Sequence, residues 1–415
     1  MTKTSYDIAI VGGGMAGGLA ALALARAGFS CAVVDAVAPD TMTDTPFDGR
    51  TTAIAYASAR LFDRLGLWKR LEADAEPIRD ILVTDGKLGD RSRKKHGSAA
   101  GFLHFDSRSL DDGSPLGWIV ENRHIRKEIF TDIIASPIID FIAPVRRAGS
   151  ILDKGHAELL LEDGRRIKAK LVIGADGKNS TLRSEAKIKV NRWSYEQFGI
   201  VATIQHELPH RGVAQELFLP AGPFAILPMT KNRSSLVWTE SKQSAQAFMA
   251  LDDVGFVSEI TRRTGPYLGE ISLASDRWAY PLNFHLSQSF VKPRLALVGD
   301  AARAIHPIAG QGFNLGVKDI AALSDVLEDA QHAGEDIGHL TVLERYERWR
   351  RFDSTVLALG TDALNRLFSN DIAPIRFARS LGLSSVNKVP ALRDFFMRQA
   401  GADMGRLPRL MTRNF

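Results

Sequence analysis

The sequence predicts an α/β fold in which one nucleotide-binding domain is assembled from separated segments, with an inserted mixed or antiparallel β-sheet domain and a helical C terminus. Three observations predict it. A glycine-rich turn follows an apolar strand near the N terminus, and two further apolar strands break into Gly/Asp turns far downstream. Around and between them lie short β-rich runs separated by Pro, Asn and Gly. The 415 residues exceed what one compact core usually holds, which calls for two lobes or one domain carrying insertions.

The first element is DIAIVGGGMAGGLAALALARAGFSCAVVDA, beginning at Asp7. An apolar strand from Ile8 to Val11 breaks at Gly12-Gly13-Gly14, a helix runs from Met15 to Ala27, Gly28 stops it, and CAVVD is the next strand. This is a Rossmann-like βαβ unit. Gly12, Gly14 and Gly17 have the GxGxxG spacing, which supplies a tight turn, close approach of backbone to a pyrophosphate, and close helix-to-strand packing. Ala16 lies in the same turn, where backbone N–H groups at the helix start form an anion site. Asp35 ends the second strand, where a carboxylate accepts from adenosine ribose hydroxyls and disfavours a 2′-phosphate. These residues admit NAD and FAD equally.

The second element is LVIGADGKNSTLR, Leu171 to Arg183. Alone it is a strand ending in the Asp176-Gly177 turn, with Ser180 near a helix cap. The third is LALVGDAARAIHPIAGQGFNLGVKDIAAL, Leu295 to Leu323, a strand ending at Gly299-Asp300 and a glycine-rich stretch feeding a helix that carries Asp319. In this order and at these separations the three motifs resemble the flavin-dependent aromatic hydroxylases, with the para-hydroxybenzoate hydroxylase-like fold, from Asp7 to about Leu323. HPIAGQGFNLGVKD is further similar to the ubiquinone-biosynthesis hydroxylases, as are GRTTAIAYASARLFDRLGLW (Gly49 to Trp68) and VENRHIR (Val120 to Arg126).

The resemblance implies FAD. It places Asp300 on the ribityl chain, Asp176 near the pyrophosphate, Arg50 near the flavin and the nicotinamide route, and Gly299 and Arg123 among the cofactor contacts. One departure is Arg303, which stands where many flavin hydroxylases carry His after the GDAA string. Within HPIAGQGFNLG the physical requirement is a set of donors at the flavin edge where reduced flavin is negative. Gly310, Gln311 and Gly312, with Phe313 and Asn314, form a turn feeding a helix N terminus that can aim backbone N–H groups there, and Pro307 fixes the approach. Packing explains Gln311 and Phe313 as well as flavin contact does. His306 has two readings, proton movement and a structural hydrogen bond, and the second is favoured beside Pro307.

These motifs divide the chain into an FAD-binding domain at 1–75, 106–185 and 285–345, a substrate-binding sheet domain at 76–105 and 186–284, and C-terminal helices with a basic tail at 346–415. Runs such as GIVATIQ, FAILPM and SSLVWTE supply strands of the sheet, which is expected to cover the flavin. Arg91 to Gly101 reads as a basic surface loop rather than a nucleic-acid site.

Composition bounds the rest. With 45% hydrophobic and 24% charged residues, and no apolar run of transmembrane length, the chain reads as globular. Lys3 to Ala27 superficially resembles a secretion signal, but its glycines and Asp35 argue for the nucleotide motif. Cys31, the single cysteine, excludes an intrachain disulfide and fits a reducing cytoplasm as a small buried hydrophobe. No metal-ligand spacing occurs and no metal is expected. The net charge of +5 is concentrated in the tail, where Arg376, Arg379, Lys388, Arg393, Arg398, Arg406, Arg409 and Arg413 interleave with apolar residues. Two readings stand for it: a surface for anionic headgroups at the inner face of a membrane, or a solvated face with helix packing.

The expected reaction, implied by the resemblance, is hydroxylation of a polyprenylated phenol in ubiquinone biosynthesis through a flavin C4a-hydroperoxide. It uses O2 and either NADH, NADPH or a reductase partner, and other proteins of that pathway are candidate partners. No second GxGxxG follows a strand, so no separate NAD(P)H domain is expected. Hydroxylation of another aromatic, saturation of a prenyl chain, and a non-catalytic flavin scaffold remain as alternatives, since fold alone does not choose among them.

Overall fold

The apolar runs that end in glycine become the parallel core of an eight-stranded sheet. In order across the sheet these are Val291–Lys292, Leu295–Leu297, Arg166–Gly174, Ser5–Val11, Cys31–Val34 and Ile139–Ile142, with the strands Ala157–Leu161 and Arg147–Leu152 extending it beside Arg166–Gly174. This computed structural model describes residues 4–43, 46–85, 102–109, 113–153, 155–368, 401, 403 and 405–412. From Leu295–Leu297 across to Ile139–Ile142 every pairing is parallel, while Val291–Lys292 pairs antiparallel with Leu295–Leu297 at the edge. Strands covered on both faces need apolar side chains on both, and Ile8, Ala9, Ile10, Cys31, Ala32 and Val33 are all fully buried.

Register then brings the motifs together. Val11 pairs with Gly174, and Gly174 pairs with Leu297. The turns at Gly12–Gly14, Ala175–Gly177 and Gly299–Asp300 therefore leave the same C-terminal edge of three adjacent strands, which is where open α/β sheets bind ligands.

The second sheet has nine strands. Arg303–Ala304, Trp278–Ser287, Val190–His206, Arg233–Ser241, Gly222–Met229, Val213–Leu219, Asp80–Asp85 and Phe102–Asp106 follow one another, and Ile271–Leu273 pairs with Val190–His206. Every pairing is antiparallel except Val213–Leu219 with Asp80–Asp85. GIVATIQ, FAILPM and SSLVWTE fall in its three central strands. A small sheet of Thr51–Ala55, Gly117–Glu121 and Ala75–Ile78 stands beside them, and Thr51 Oγ1 lies 3.1 Å from Ser235 Oγ of the nine-stranded sheet.

Helix Gln311–His332, 22 residues long, is buried along most of its length. Helix Leu340–Phe368, 29 residues long, packs on it. Among the described residues no helix is long and apolar enough to cross a membrane. Most of the basic tail, and the stretch Arg91 to Gly101, lie outside the described residues. The two basic tail residues that are described serve packing: Arg409 pairs with Asp325, Glu328 and Asp329, and the Arg406 guanidinium sits 4.7 Å from the centre of the Trp349 ring.

Candidate functional site

Two helix N termini, both without a side-chain cap at the N-cap residue, converge on one cavity. Helix Met15–Arg26 begins after Gly14 and helix Gln311–His332 begins after Gly310. Uncapped first turns leave backbone N–H groups for an anion, aided by the helix dipole. The glycines divide into two kinds. A Cβ on Gly17 would lie 1.8 Å from the Gly12 carbonyl oxygen, and Gly310 has a left-handed φ of +61° with Ala53 beside it, so the protein itself requires glycine at both. A Cβ on Gly14 or Gly312 would meet nothing within 4 Å. Those two leave open space that a ligand can use.

Carboxylates frame this space. Asp35 accepts from the Gly13 N–H at 2.5 Å and the Val37 N–H at 2.7 Å, which fixes the first glycine turn. Asp176 accepts from Thr181 N at 2.9 Å through Oδ2, while its buried Oδ1 has no partner in the protein. Asp300 lines the cavity, where desolvation raises its carboxyl above the usual range against the pull of Arg303 and Lys178. Its backbone is held from below: His285 Nε2 lies 2.8 Å from the Asp300 carbonyl, and Arg183 donates to the Ala301 carbonyl at 2.8 Å. Desolvation and the adjacent Arg183 charge push His285 down to about 4, so it acts as a neutral donor. Ser180 caps helix Thr181–Glu185 through its side chain, as the sequence reading of that turn expected.

Arg303 does not face the cavity. It forms two bonds to Asp319, at 2.8 and 2.9 Å, with both side chains buried. Asp319 also accepts from Arg350 Nε at 2.9 Å and from the Gly299 N–H at 3.1 Å. Arg350 and Lys318 both reach Asp353. The departure from His at this position thus buys an ion network that ties the Gly299 turn to both long helices.

Asn314 is spent on the backbone as well. Its Oδ1 accepts from Ala55 N at 2.9 Å, and its Nδ2 donates to Ala53 O at 2.9 Å and Gly310 O at 3.1 Å. The side chain therefore clamps strand Thr51–Ala55 to the helix start. His306 is fully buried, and neither ring nitrogen has a hydrogen-bond partner. The structural hydrogen bond favoured from its place beside Pro307 is not formed, because the ring instead meets the edge of Tyr195 at 5.0 Å. Desolvation pushes His306 down to about 4, against the pull of Asp362.

The cavity, about 1080 Å³, joins this nucleotide end to an apolar end. Gly14, Ala16, Gly299, Asp300, Pro307, Gly310, Gln311, Gly312, Phe313 and Asn314 are in its wall. Gly12, Gly17, Asp35 and Asp176 lie behind that wall in the supporting turns. Arg50 and Arg123 stand apart: Arg50 pairs with Asp48 and its side chain is 52% exposed, while Arg123 pairs with buried Glu121. Desolvation alone would raise the Glu121 carboxyl, but bonds from His124 and Arg233 hold it down to about 2. The apolar end draws Ile81, Leu103, Phe105, Phe218, Leu227 and Val237 from the nine-stranded sheet. Sequence reasoning placed a substrate sheet over the flavin but named none of these side chains, nor the roles of Arg183, His285 and Arg350, because the contributors are scattered over many strands and helices. The open glycines, the uncapped helix starts and the unpartnered Asp176 oxygen fit the flavin dinucleotide that the resemblance implies.

Comparisons with known proteins agree. Residues 5–98 and 152–352 match the family described as FAD binding domain. Ubiquinone hydroxylase UbiL of Rhodospirillum rubrum is 44% identical over 411 residues, covering 98% of this chain and 92% of that protein. The 3-demethoxyubiquinol 3-hydroxylase of Escherichia coli K12 is 36% identical, covering 95% and 97%. Among solved structures, p-nitrophenol 4-monooxygenase PnpA from Pseudomonas putida DLL-E4 superposes with a TM-score of 0.77 at 17% identity, covering 98% and 100%, which bears on the fold alone. Klebsiella pneumoniae HpxO, solved with FAD and uric acid, gives 0.72 at 18% identity, covering 96% of each chain. The chain belongs to the FAD-binding-domain family, within its branch of ubiquinone-biosynthesis FAD-dependent hydroxylases.

Proposed function

We propose that this protein is an FAD-dependent monooxygenase that hydroxylates the aromatic ring of a polyprenylated phenol, a ubiquinone precursor. One oxygen atom of O2 enters the ring, the other leaves as water, and NADH or NADPH, directly or through a reductase partner, supplies two electrons. The observation that carries this reading is the single cavity that runs from the glycine turns into a chamber walled by apolar side chains. Bound FAD supplies the redox chemistry and oxygen activation.

The chain's own residues bind, orient and exclude water. Gly14 and Gly312 give a dinucleotide close access to backbone N–H groups at two helix starts, and Asp300 offers a carboxylate for hydroxyl groups. Asp319 and Asn314 hold those turns in place from behind. Apolar walls at the far end desolvate the phenol and keep bulk water from the reacting ring. The similarity to hydroxylases acting on ubiquinone intermediates supports the substrate class.

The test is the visible spectrum of the purified protein, followed by NADH and NADPH oxidation under air with a short-tailed prenylphenol. Flavin bands, substrate-stimulated oxidation and a product heavier by one oxygen are expected. A flavin-loaded protein that reduces the prenyl chain, or that oxidises NAD(P)H no faster with any prenylphenol, would overturn the reading.

A further inference from the structure

The chamber floor is laid in rows that run across neighbouring strands of the nine-stranded sheet, and register fixes one of them. Val237 lies opposite Ala225, Ala225 opposite Glu216, Glu216 opposite Val83, and Val83 opposite Leu103. All five line the cavity. Four are the aliphatic residues that an apolar ligand calls for, and the fifth is a carboxylate. Among the described residues of the cavity wall only Asp300 and Glu216 are ionisable, and Asp300 belongs to the nucleotide end.

Alternation along strand Val213–Leu219 gives the direction of the Glu216 side chain. Leu217 and Leu219 pack on the opposite face of the sheet, in the core that holds Trp238 and Phe256. Ala214 and Phe218 share a cluster with Ile308. Glu216 lies between these last two in the alternation and shares their face. Ile308 follows Pro307 in the turn that leads to Gly310 and Gly312, so the carboxylate faces the space between the sheet and that turn. A valine or leucine would complete the row without electrostatic cost, whereas an ionised carboxylate taken from water needs donors in exchange. Glu216 is half-buried and also interacts within the protein. The two oxygens of a carboxylate offer about four acceptor sites, so an internal contact leaves capacity for a ligand.

We propose that Glu216 accepts the ring hydroxyl of the substrate, that it sets the rotation of the ring on the chamber floor, and that it selects phenols over rings without a donor. The identity of the substrate rests on the prenylphenol reading above. A phenol entering an apolar chamber gives up hydrogen bonds to water, and its O–H needs a new acceptor there. An ionised carboxylate is an acceptor only and forms roughly twice as strong a bond as a neutral one. Aliphatic walls alone hold a ring in any rotation, while one fixed acceptor among them holds it in one. A site built to bind a hydroxyl also rejects the analogue that lacks it, because the site's own polar group is then left unpaired. The same bond raises electron density at the ring carbons ortho and para to the hydroxyl, where an electrophilic oxygen adds.

The test is titration of the full-length, flavin-loaded protein, without NAD(P)H, with a phenol carrying one isoprenoid unit and with the methyl ether of that phenol, followed through the flavin absorbance. Wild type is compared with Glu216→Gln and Glu216→Leu. The wild type is expected to bind the phenol roughly 10- to 100-fold more tightly than the ether, as one hydrogen bond to a charged acceptor gives. That ratio is expected to fall by about tenfold in Glu216→Gln, and to approach one in Glu216→Leu, with flavin content unchanged in both. Should Glu216→Leu lose flavin or fold, the near-isosteric Glu216→Gln carries the test. Turnover of the phenol is expected to fall in the same order. A ratio equal in wild type and Glu216→Gln overturns the proposal while leaving the substrate reading in place. Equal weakening of phenol and ether also overturns it, because Glu216 then only shapes the chamber. A wild type that binds and turns over neither ligand overturns the substrate reading and the hydroxyl acceptor with it.

Discussion

The two ends of the cavity are built from different materials. At the nucleotide end the wall is backbone: glycine turns at the edge of three parallel strands, held by side chains that point away from the ligand space. At the far end the wall is side chain, contributed by strands far apart in sequence. A backbone-built site is rigid, dictated by conformation and tolerant of few residues. A side-chain-built site keeps its shape through packing volume alone, so its specificity can change without disturbing the fold.

The largest break in that contrast is expected at Asp319. Asp319→Ala leaves Arg303 and Arg350 buried with their shared carboxylate gone, and removes the acceptor of the Gly299 N–H. Loss of one partner from a buried ion network costs about 3–5 kcal/mol. Chemical denaturation should show that loss, and flavin content should fall with it. A variant as stable as the wild type would mean that the network does not hold the turn. Next in size is Gly17→Ala, whose Cβ collides with the Gly12 carbonyl and forces strand and helix apart. Overpacking of this kind costs roughly 1–3 kcal/mol, and the expected readout is a lowered melting temperature with flavin absent.

Gly312→Ala sharpens the contrast because the protein has room for the methyl group. Alanine in a helix is favoured over glycine by up to about 1 kcal/mol, so the flavin-free protein should melt no lower than wild type. FAD affinity should nevertheless fall by roughly tenfold or more, since the methyl fills space beside the backbone donors; about 1.4 kcal/mol corresponds to that factor. Flavin titration beside melting curves separates the two effects, and unchanged affinity would show that the open space serves no ligand. At the other end, Ala214→Leu narrows the apolar chamber. It should leave FAD affinity unchanged and raise KM for longer prenyl tails more than for short ones. A uniform fall in turnover for all tail lengths would contradict a chamber shaped for the tail.

The same contrast explains what the sequence could tell. Gly12, Gly17 and Gly310 are legible because geometry forbids other residues there, so the motif is the structure written out. Asp300 and Asp176 are legible by their place at strand ends. The roles of Arg303 and Asn314 are not, because each depends on a partner across the fold: Arg350, 47 positions beyond Arg303, shares Asp319 with it, and Ala53 lies 261 residues before Asn314. Arg50 and Arg123 carry a sequence signal for the cofactor, yet their pairing with Asp48 and Glu121 depends on strand and turn geometry that no spacing rule encodes. The apolar chamber is least legible of all, since a strand residue facing it is chemically the same as one facing the core.

His306 gives the smallest effect at neutral pH and the most selective one. It is the polar side chain behind the Pro307 wall that the backbone network leaves unsatisfied. In an unfolded chain its imidazole titrates near 6.5, while burial in the fold lowers it to about 4. As pH falls through that interval the unfolded chain takes up a proton that the folded one refuses, so stability drops from 6.5 toward 4 and levels off below. A depression of this size corresponds to something on the order of 3 kcal/mol across the window. His306→Phe keeps an aromatic ring against Tyr195 and removes the titration. The variant should match wild type above neutrality and lose stability more slowly on acidification, with His285, also held to about 4, supplying the slope that remains. Urea denaturation of the flavin-loaded proteins at a series of pH values measures this directly. Parallel acid limbs for variant and wild type would mean that the buried ring already finds a partner or a proton in the folded state.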